Sequence, residues 1–296
     1  MTTPTRRNLI NGLLFASPFI AGLLVFTLYP VIASIYLGFC RYTILRSPQW
    51  IGAENYRILF TEDPLFWKSL CNTLYYTALA LPLGLALALG LALLLHAGVR
   101  GIAAYRTLYF LPTIVPTVAV AILWLWVLNP EYGVLKAVLA LVHLPSPGWL
   151  ADPKWSKPGL VVMGLWGVGG TMIIFLAGLA GIPYQFYEAA AIDGANRFAQ
   201  FRHITLPMLT PTIFFNLVIG LIGSFQYFTQ VYIMTNGGPT HSTLFYALYL
   251  YQNAFRYLRM GYASAMAWLL FLIILGLTLL IHRTSARWVY YEGEAL

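Results

Sequence analysis

Glu188-Ala189-Ala190-Ala191-Ile192-Asp193-Gly194, followed after nine residues by Ile204-Thr205-Leu206-Pro207, is a polar stretch set between two apolar runs each long enough to cross a bilayer. Its local chemistry predicts a bent pair of helices. Pro183 suits a helix's first turn, where its missing N–H has no partner in any case, and Glu188 with the alanines continues a strong helix-forming run. The first helix is expected over about 184–193. Gly194 fits the left-handed position that ends a helix, and Asn196 is placed to cap a second helix running through Arg202. The alanine side is narrow enough to enter a groove of another protein, with Glu188 and Asp193 fixing orientation. On its residues alone, the segment reads first as an ordinary amphipathic connector.

The flanks of this elbow set the class of protein. Of 296 residues, 60% are hydrophobic and 9% charged, with mean hydropathy +0.74. That is too little charge to coat a soluble globule of this size, so bilayer is the expected solvent. No Asp, Glu, Lys or Arg occurs between Arg7 and Arg41, Lys68 and Arg100, Arg106 and Glu131, Lys157 and Glu188, Arg202 and Arg256, or Arg259 and Arg283. Six gaps predict six transmembrane helices, near 11–38, 70–96, 107–128, 159–181, 208–233 and 261–282. The fifth gap is too long for one span, and Asn236-Gly237-Gly238-Pro239 should end its helix in a loop. The fold class is therefore an all-α integral membrane protein. Arg6-Arg7 precede an apolar run far longer than a signal peptide's core, which reads as an uncleaved first helix.

The 17 Lys and Arg fall eight on one side and nine on the other, so their count does not orient the chain. Lipid headgroups at the span ends account for the net charge of +8 without a nucleic-acid partner. Cys40 and Cys71 stand at the end of one span and the start of the next, with no Cys-x-x-Cys spacing; they read as unpaired packing residues, with a disulfide the alternative only if those ends meet.

The search for chemistry excludes more than it finds. There is no Gly-x-x-x-x-Gly-Lys-Ser/Thr loop to bind ATP, and the five His show no metal-ligand spacing. Neither a catalytic nor a metal site is expected. The spans lack ionisable groups, which argues against an ion-coupled carrier or channel, the alternative reading for a small polar solute. They carry neutral polarity and aromatic rings instead: Asn216, Ser224, Gln226, Tyr227, Thr229, Gln230 and Tyr232 all lie on the fifth helix. Such groups suit a hydroxyl-rich neutral solute, although each could equally be a hydrogen bond between helices. Trp166, Ser224, Gln226, Tyr227 and Gln230 are the candidate solute contacts. Small residues at Gly84, Ala88 and Ala92, and at Gly164, Gly167, Gly170, Gly178 and Gly181, predict close helix packing. Pro82, Pro112, Pro116, Pro207 and Pro211 predict bends.

With every fixed position filled, the elbow resembles the Glu-Ala-Ala, three residues, Gly, nine residues, Ile-x-Leu-Pro signature of binding-protein-dependent ABC permeases. Trp50-Ile51-Gly52-Ala53-Glu54-Asn55-Tyr56, Asn129-Pro130-Glu131-Tyr132-Gly133 and Thr235-Asn236-Gly237-Gly238-Pro239 are similar to loops of its carbohydrate-uptake branch, the maltose and glycerol-phosphate type. The Asn129-to-Gly133 match departs three residues beyond its glycine, where the family often has Asn and this chain has Lys136. The resemblance spans about residues 13–290.

The resemblance implies a type I importer permease fold with cytoplasmic coupling helices. Residues 1–68 would hold a cytoplasmic tail, the first span and the first outer loop, 69–283 the permease core with its coupling loop at 182–207, and 284–296 a cytoplasmic tail. Glu188, Ala189, Ala190, Asp193, Gly194, Ile204, Leu206 and Pro207 would dock on an ATPase. The implied partners are a second permease in a heterodimer, a cytoplasmic ATPase dimer that uses ATP and Mg²⁺, and an external solute-binding protein. This chain itself would bind no cofactor and catalyse no reaction, and it would sit in a bacterial cytoplasmic membrane. With no Lys or Arg at membrane depth, the cargo is expected to be a neutral sugar or polyol.

Overall fold

The structure is a computed structural model describing residues 6–98 and 100–290; residues 1–5, Val99 and 291–296, which include parts of both expected tails, lie outside the described residues. Contacts group the chain into two compact units, one from the chain up to Asp63 with Leu250–Phe271, the other from Pro64–Tyr249 with the chain from Leu272. This grouping crosses the expected stretches, because the chain returns to its first unit after residue 249.

In the first unit, α1 (Arg6–Leu23) passes through a π-helical turn at Leu24–Leu28 into α2 (Tyr29–Gly38). Together they make an apolar span, Asn11–Gly38, whose most apolar stretch buries none of its residues within the protein. A helix that is apolar all round and uncovered by protein is suited to lipid. Two strands then depart from the helical expectation: β1 (Cys40–Thr43) pairs antiparallel with β2 (Arg46–Trp50), Cys40 lying opposite Trp50. α3 (Glu54–Thr61) follows.

The Trp50-to-Tyr56 motif holds this turn-back in place. Gly52 has φ +62, a conformation costly for residues with a Cβ. Trp50 stacks on Phe39 at 5.6 Å between centroids. Buried Asn55 donates from Nδ2 to the carbonyls of Gly38 and Cys40, both at 2.9 Å, satisfying acceptors that the end of α2 leaves open. Arg57 forks onto Glu54 at 2.9 and 2.7 Å and reaches Glu62 at 3.0 Å. That guanidinium holds the Glu54 carboxyl below its ordinary range.

The second unit is built around α4 (Pro64–His96). Its helices are α5 (Ile102–Ile114), α6 (Thr117–Val127), α7 (Val134–Leu141), α8 (Ser156–Trp166), α9 (Gly169–Ala180), α10 (Tyr184–Ile192), α11 (Arg197–Gln200), α12 (Leu206–Met208), α13 (Thr210–Phe225) and α14 (Thr229–Met234). α15 (Tyr246–Tyr251) and α16 (Met260–Ser285) each run from one unit's residues into the other's. Within the second unit α4 packs on α8, α9 and α13, and α6 packs on α14. The core holds Ala88, Ala92 and Leu95 of α4 against Met172, Phe175, Leu176 and Leu179 of α9 and Leu209. Ala88 and Ala92 are wholly buried there, as small residues must be for two backbones to approach in lipid. A Cβ on Gly169 would lie 2.1 Å from the Tyr109 carbonyl oxygen, so α9 approaches α5 this closely only because that residue is glycine.

Among the described residues four helical spans are long and apolar enough to cross a membrane, and two bent pairs bring the number to six if each pair is one span. The third and fourth expected spans are thus not straight rods. α5 and α6 meet at 100°, because Val115 precedes a proline and is held extended at ψ 130. α8 and α9 meet at 48°. α13 and α14 are separated at residues 226–228 within the stretch Thr210–Met234.

The loop after α14 is fastened by α4. Asn72 donates to the carbonyls of His241 at 2.9 Å and Leu244 at 3.0 Å, while its Oδ1 accepts from Lys157 at 3.1 Å. Thr73 accepts from the Tyr246 N–H at 2.9 Å, and the Ser156 and Ser242 hydroxyls lie 2.8 Å apart. Thr243 donates to Gly238 O at 2.6 Å, closing the Thr235-to-Pro239 turn. In the turn before α7, Asn129 Oδ1 accepts from the Glu131 and Tyr132 N–H groups, and Lys136 donates to Glu131 O at 2.9 Å. Lys136 thus has a structural partner at the position that departs from the family pattern. Cys40 is buried, Cys71 is exposed, and both are free thiols.

Replacing Asn55 with Ala leaves two buried carbonyls without donors, which costs about 2 kcal/mol. The thermal unfolding midpoint of Asn55→Ala in detergent is expected to fall, and an unchanged midpoint would refute this role of the motif.

Candidate functional site

Two features stand out, an exposed elbow and a pair of cavities with a few polar side chains in their walls. In the elbow, Pro183 is extended (φ −61, ψ 130) just ahead of α10, one position earlier than its expected place in the first turn. At the other end Ala195 N–H bonds to Ala190 O at 2.8 Å and Gly194 N–H to Ala191 O at 3.1 Å. This is the hydrogen-bond pattern of a helix closed by a left-handed residue. Gly194 is that residue, at φ +79, with open space where a Cβ would stand. Asn196 Oδ1 then accepts from Ala199 N–H at 2.8 Å and starts α11. Past Gln200 the chain continues as a π-helical turn, Phe201–Thr205, into α12. The Tyr187 and Thr205 hydroxyls, 2.9 Å apart, tie the two arms.

Of the sequence-predicted elbow residues, Glu188, Ala189, Asp193 and Gly194 are exposed, whereas Ala190, Ile204, Leu206 and Pro207 are half-buried at the inner arm. Among the described residues neither Glu188 nor Asp193 forms an ion pair. Sequence reasoning missed two apolar side chains at the tip: Ile192 is 87% and Phe198 70% exposed. Unpaired acids beside uncovered apolar surface are what a docking face presents before its partner arrives.

The cavities lie among the helix breaks. One, of about 300 Å³, is lined by Gly84 of α4, Gly164 of α8, and Asn216 and Ser224 of α13. The other, of about 380 Å³, is lined by Thr113, Trp166 and Gln230. Tyr76, Gly164, Gly167 and Tyr227 wall both. The rings of Tyr76 and Tyr227 stack at 4.6 Å and 26°, with Phe245 at 5.3 Å from Tyr76. Among the described residues the buried Tyr227 hydroxyl makes no well-formed hydrogen bond, although the Tyr76 hydroxyl lies near it. Trp166 meets Trp124 edge-on at 6.1 Å.

The structure therefore brings Trp166, Tyr227 and Gln230 to one cavity and Ser224 to its neighbour. Ser224 already donates to Gly220 O at 2.5 Å, so only its lone pairs are open to a solute. Gln226 is exposed at the break after α13 and lines neither cavity. Two residues apart, Gln226 and Ser224 would stand on different faces even of a continuous helix, and α13 ends at Phe225. Tyr76 was not singled out from the sequence. Its signal was the buried polar row Ser69, Asn72, Thr73, Tyr76 and Thr77, at helical spacing on α4.

Comparison with known proteins bears on both features. Residues 80–289 match the family model described as binding-protein-dependent transport system inner membrane component. The chain is 44% identical over 293 residues to "Probable ABC transporter permease protein YesP" of Bacillus subtilis (strain 168), covering 98% of this chain and 94% of that protein. It is 34% identical to the lactose transport system permease protein LacF of Rhizobium radiobacter, covering 95% and 97%. The fold overlays a crystal structure of a bacterial alginate ABC transporter in complex with alginate pentasaccharide-bound periplasmic protein, with TM-score 0.80 and 27% identity over 94% of each chain. The bundle accordingly has the type I ABC importer permease fold, and the matched region includes the elbow and most of the cavity wall. A broken-helix membrane bundle with an exposed elbow, together with these matches, shows that the chain belongs to the binding-protein-dependent transport system inner membrane components, the permeases of ABC importers.

Proposed function

We propose that this chain is the permease subunit of an ATP-driven importer for a sugar or related polyhydroxylated solute, and that α10 to α12 form its handle for the ATPase. The observation that carries this reading is the elbow: a helix closed at Gly194, with unpaired Glu188 and Asp193 and exposed Ile192 and Phe198. Ile192 and Phe198 would bury apolar area in a cleft of the ATPase, while the acids select its orientation. Ala189 and Ala190 keep the helix narrow for insertion, and Ile204, Leu206 and Pro207 anchor the inner arm to the bundle.

Nucleotide can shift the permease between its two facings only through differential affinity, so the elbow must stay rigid to transmit that difference. ATP and Mg²⁺ act in the partner ATPase dimer. The elbow faces the cytoplasm in this reading, as do both termini, and a second permease and an external solute-binding protein complete the assembly.

The solute would pass the cavities walled by Tyr76 and Tyr227. An aromatic ring presents an apolar face to the C–H side of a sugar, and Gln230 supplies both donor and acceptor to hydroxyls. Trp166 adds a second ring, and the Tyr227 hydroxyl, beside that of Tyr76, is placed to bond a polyol that enters. The neutral lining and the names of the sugar-transporting relatives support this solute class.

Gly194→Pro removes the N–H bonded to Ala191 O and forbids the positive φ. Uptake in cells and co-purification of the ATPase are both expected to fall by more than tenfold, and normal uptake would refute the coupling role. Trp166→Ala and Tyr227→Ala are expected to raise the half-saturating solute concentration about tenfold, on the order of 1.4 kcal/mol, with ATPase co-purification intact. Gln226→Ala should leave affinity unchanged; a loss equal to that of Tyr227→Ala would overturn the placement of the path.

A further inference from the structure

A cleft of about 370 Å³ opens in the first unit, where β1, α3 and the start of α16 meet, lined by Arg41, Tyr42, Thr43, Asn55, Arg259 and Tyr262. Neither the elbow nor the solute cavities use it. The nearby carboxylates already have partners: Glu54 and Glu62 hold Arg57, and Asp63 accepts from the hydroxyl of Tyr262 at the cleft wall. Arg41 only adds a weaker, longer-range influence to the lowered Glu54 carboxyl. Among the described residues, therefore, Arg41 and Arg259 border one cleft without an ion pair. Two cations sharing a cleft repel unless an anion lies between them.

The position of the cleft indicates which anion. Gly38 ends the span Asn11–Gly38 and Met260 opens the span Met260–Ser285, so the cleft lies at the ends of two helices apolar and long enough to cross a bilayer. A Cβ on Gly261 would lie 2.0 Å from the Cys40 carbonyl oxygen, which shows how closely the start of α16 approaches β1. The first span is not covered by protein in its most apolar stretch, so lipid can reach the site from its flank. Tyrosine and arginine at this depth suit headgroups, and the guanidinium fork matches phosphate oxygens in pairs.

We propose that this cleft binds the phosphate of an anionic phospholipid headgroup, held between Arg41 and Arg259 with the hydroxyls of Tyr42 and Thr43 as further donors. The site fixes the end of the first span to the membrane surface and does not depend on the transport reading.

The test is native mass spectrometry of the full chain, purified in detergent with its co-purifying subunits, titrated with phosphatidylglycerol, phosphatidylcholine or inorganic phosphate. Phosphatidylglycerol is expected to be retained over phosphatidylcholine, and Arg41→Gln or Arg259→Gln should each weaken it about fivefold. Arg256→Gln, exposed and outside the cleft, should change nothing. Circular dichroism melting checks that the variants fold. If the Gln variants do not, Arg41→Lys and Arg259→Lys keep the charge and lose the fork, and a smaller loss of the same lipid is expected. Equal retention of phosphatidylcholine, displacement by equimolar inorganic phosphate, or undiminished binding to the double variant would each overturn the proposal. So would variants that lose only an external binding protein while keeping the lipid.

Discussion

Backbone in hydrocarbon has no water to bond, so an N–H or C=O released from a helix must be covered by protein or line a cavity. Much of the bundle can be understood from that constraint. The three breaks at Val115–Pro116, Gly167–Val168 and 226–228 converge on the same cavities: Val115, Gly167 and Tyr227 all line the larger of the two. The irregular backbone that makes room for a solute is tolerated because it gathers in one place. Glycines at 84, 164 and 167, which in other positions would serve only to bring helices together, here leave the space open.

The loops are held by the same economy of polar groups. One asparagine in each unit carries a turn: Asn55 returns the chain after the first span, and Asn72 grips the loop after α14. The motifs outside the elbow are therefore accounted for as fasteners. Their glycines and amides satisfy backbone groups, and the geometry requires no solute contact from them. Lys136 meeting the Glu131 carbonyl shows how a departure from a family pattern can keep the turn closed with a different donor.

The elbow was the most legible part of the chain, because a helix stop, a left-handed glycine and an asparagine cap are local events encoded within a few residues. The cavity was less so. Trp166, Tyr227 and Gln230 drew attention as polar or aromatic side chains in apolar spans, and they do share a wall. Gln226 looked equivalent to them in sequence but falls where the helix ends, so its direction depends on a break that hydropathy does not register. Tyr76 escaped notice because its partner Tyr227 is more than half the chain away.

By itself the sequence determined that the chain lives in a membrane, roughly where it crosses, and that a bent polar elbow interrupts the crossings. These follow from composition, charge spacing and short-range backbone preferences. Pro116 marked one bend in advance, but only the tertiary structure decided how sharply that span turns, that α8 and α9 also bend, that Ile192 and Phe198 stand uncovered beside the acids, and which polar side chains face a common space. Those outcomes depend on helices far apart in sequence packing against one another, and no local window of residues carries that information.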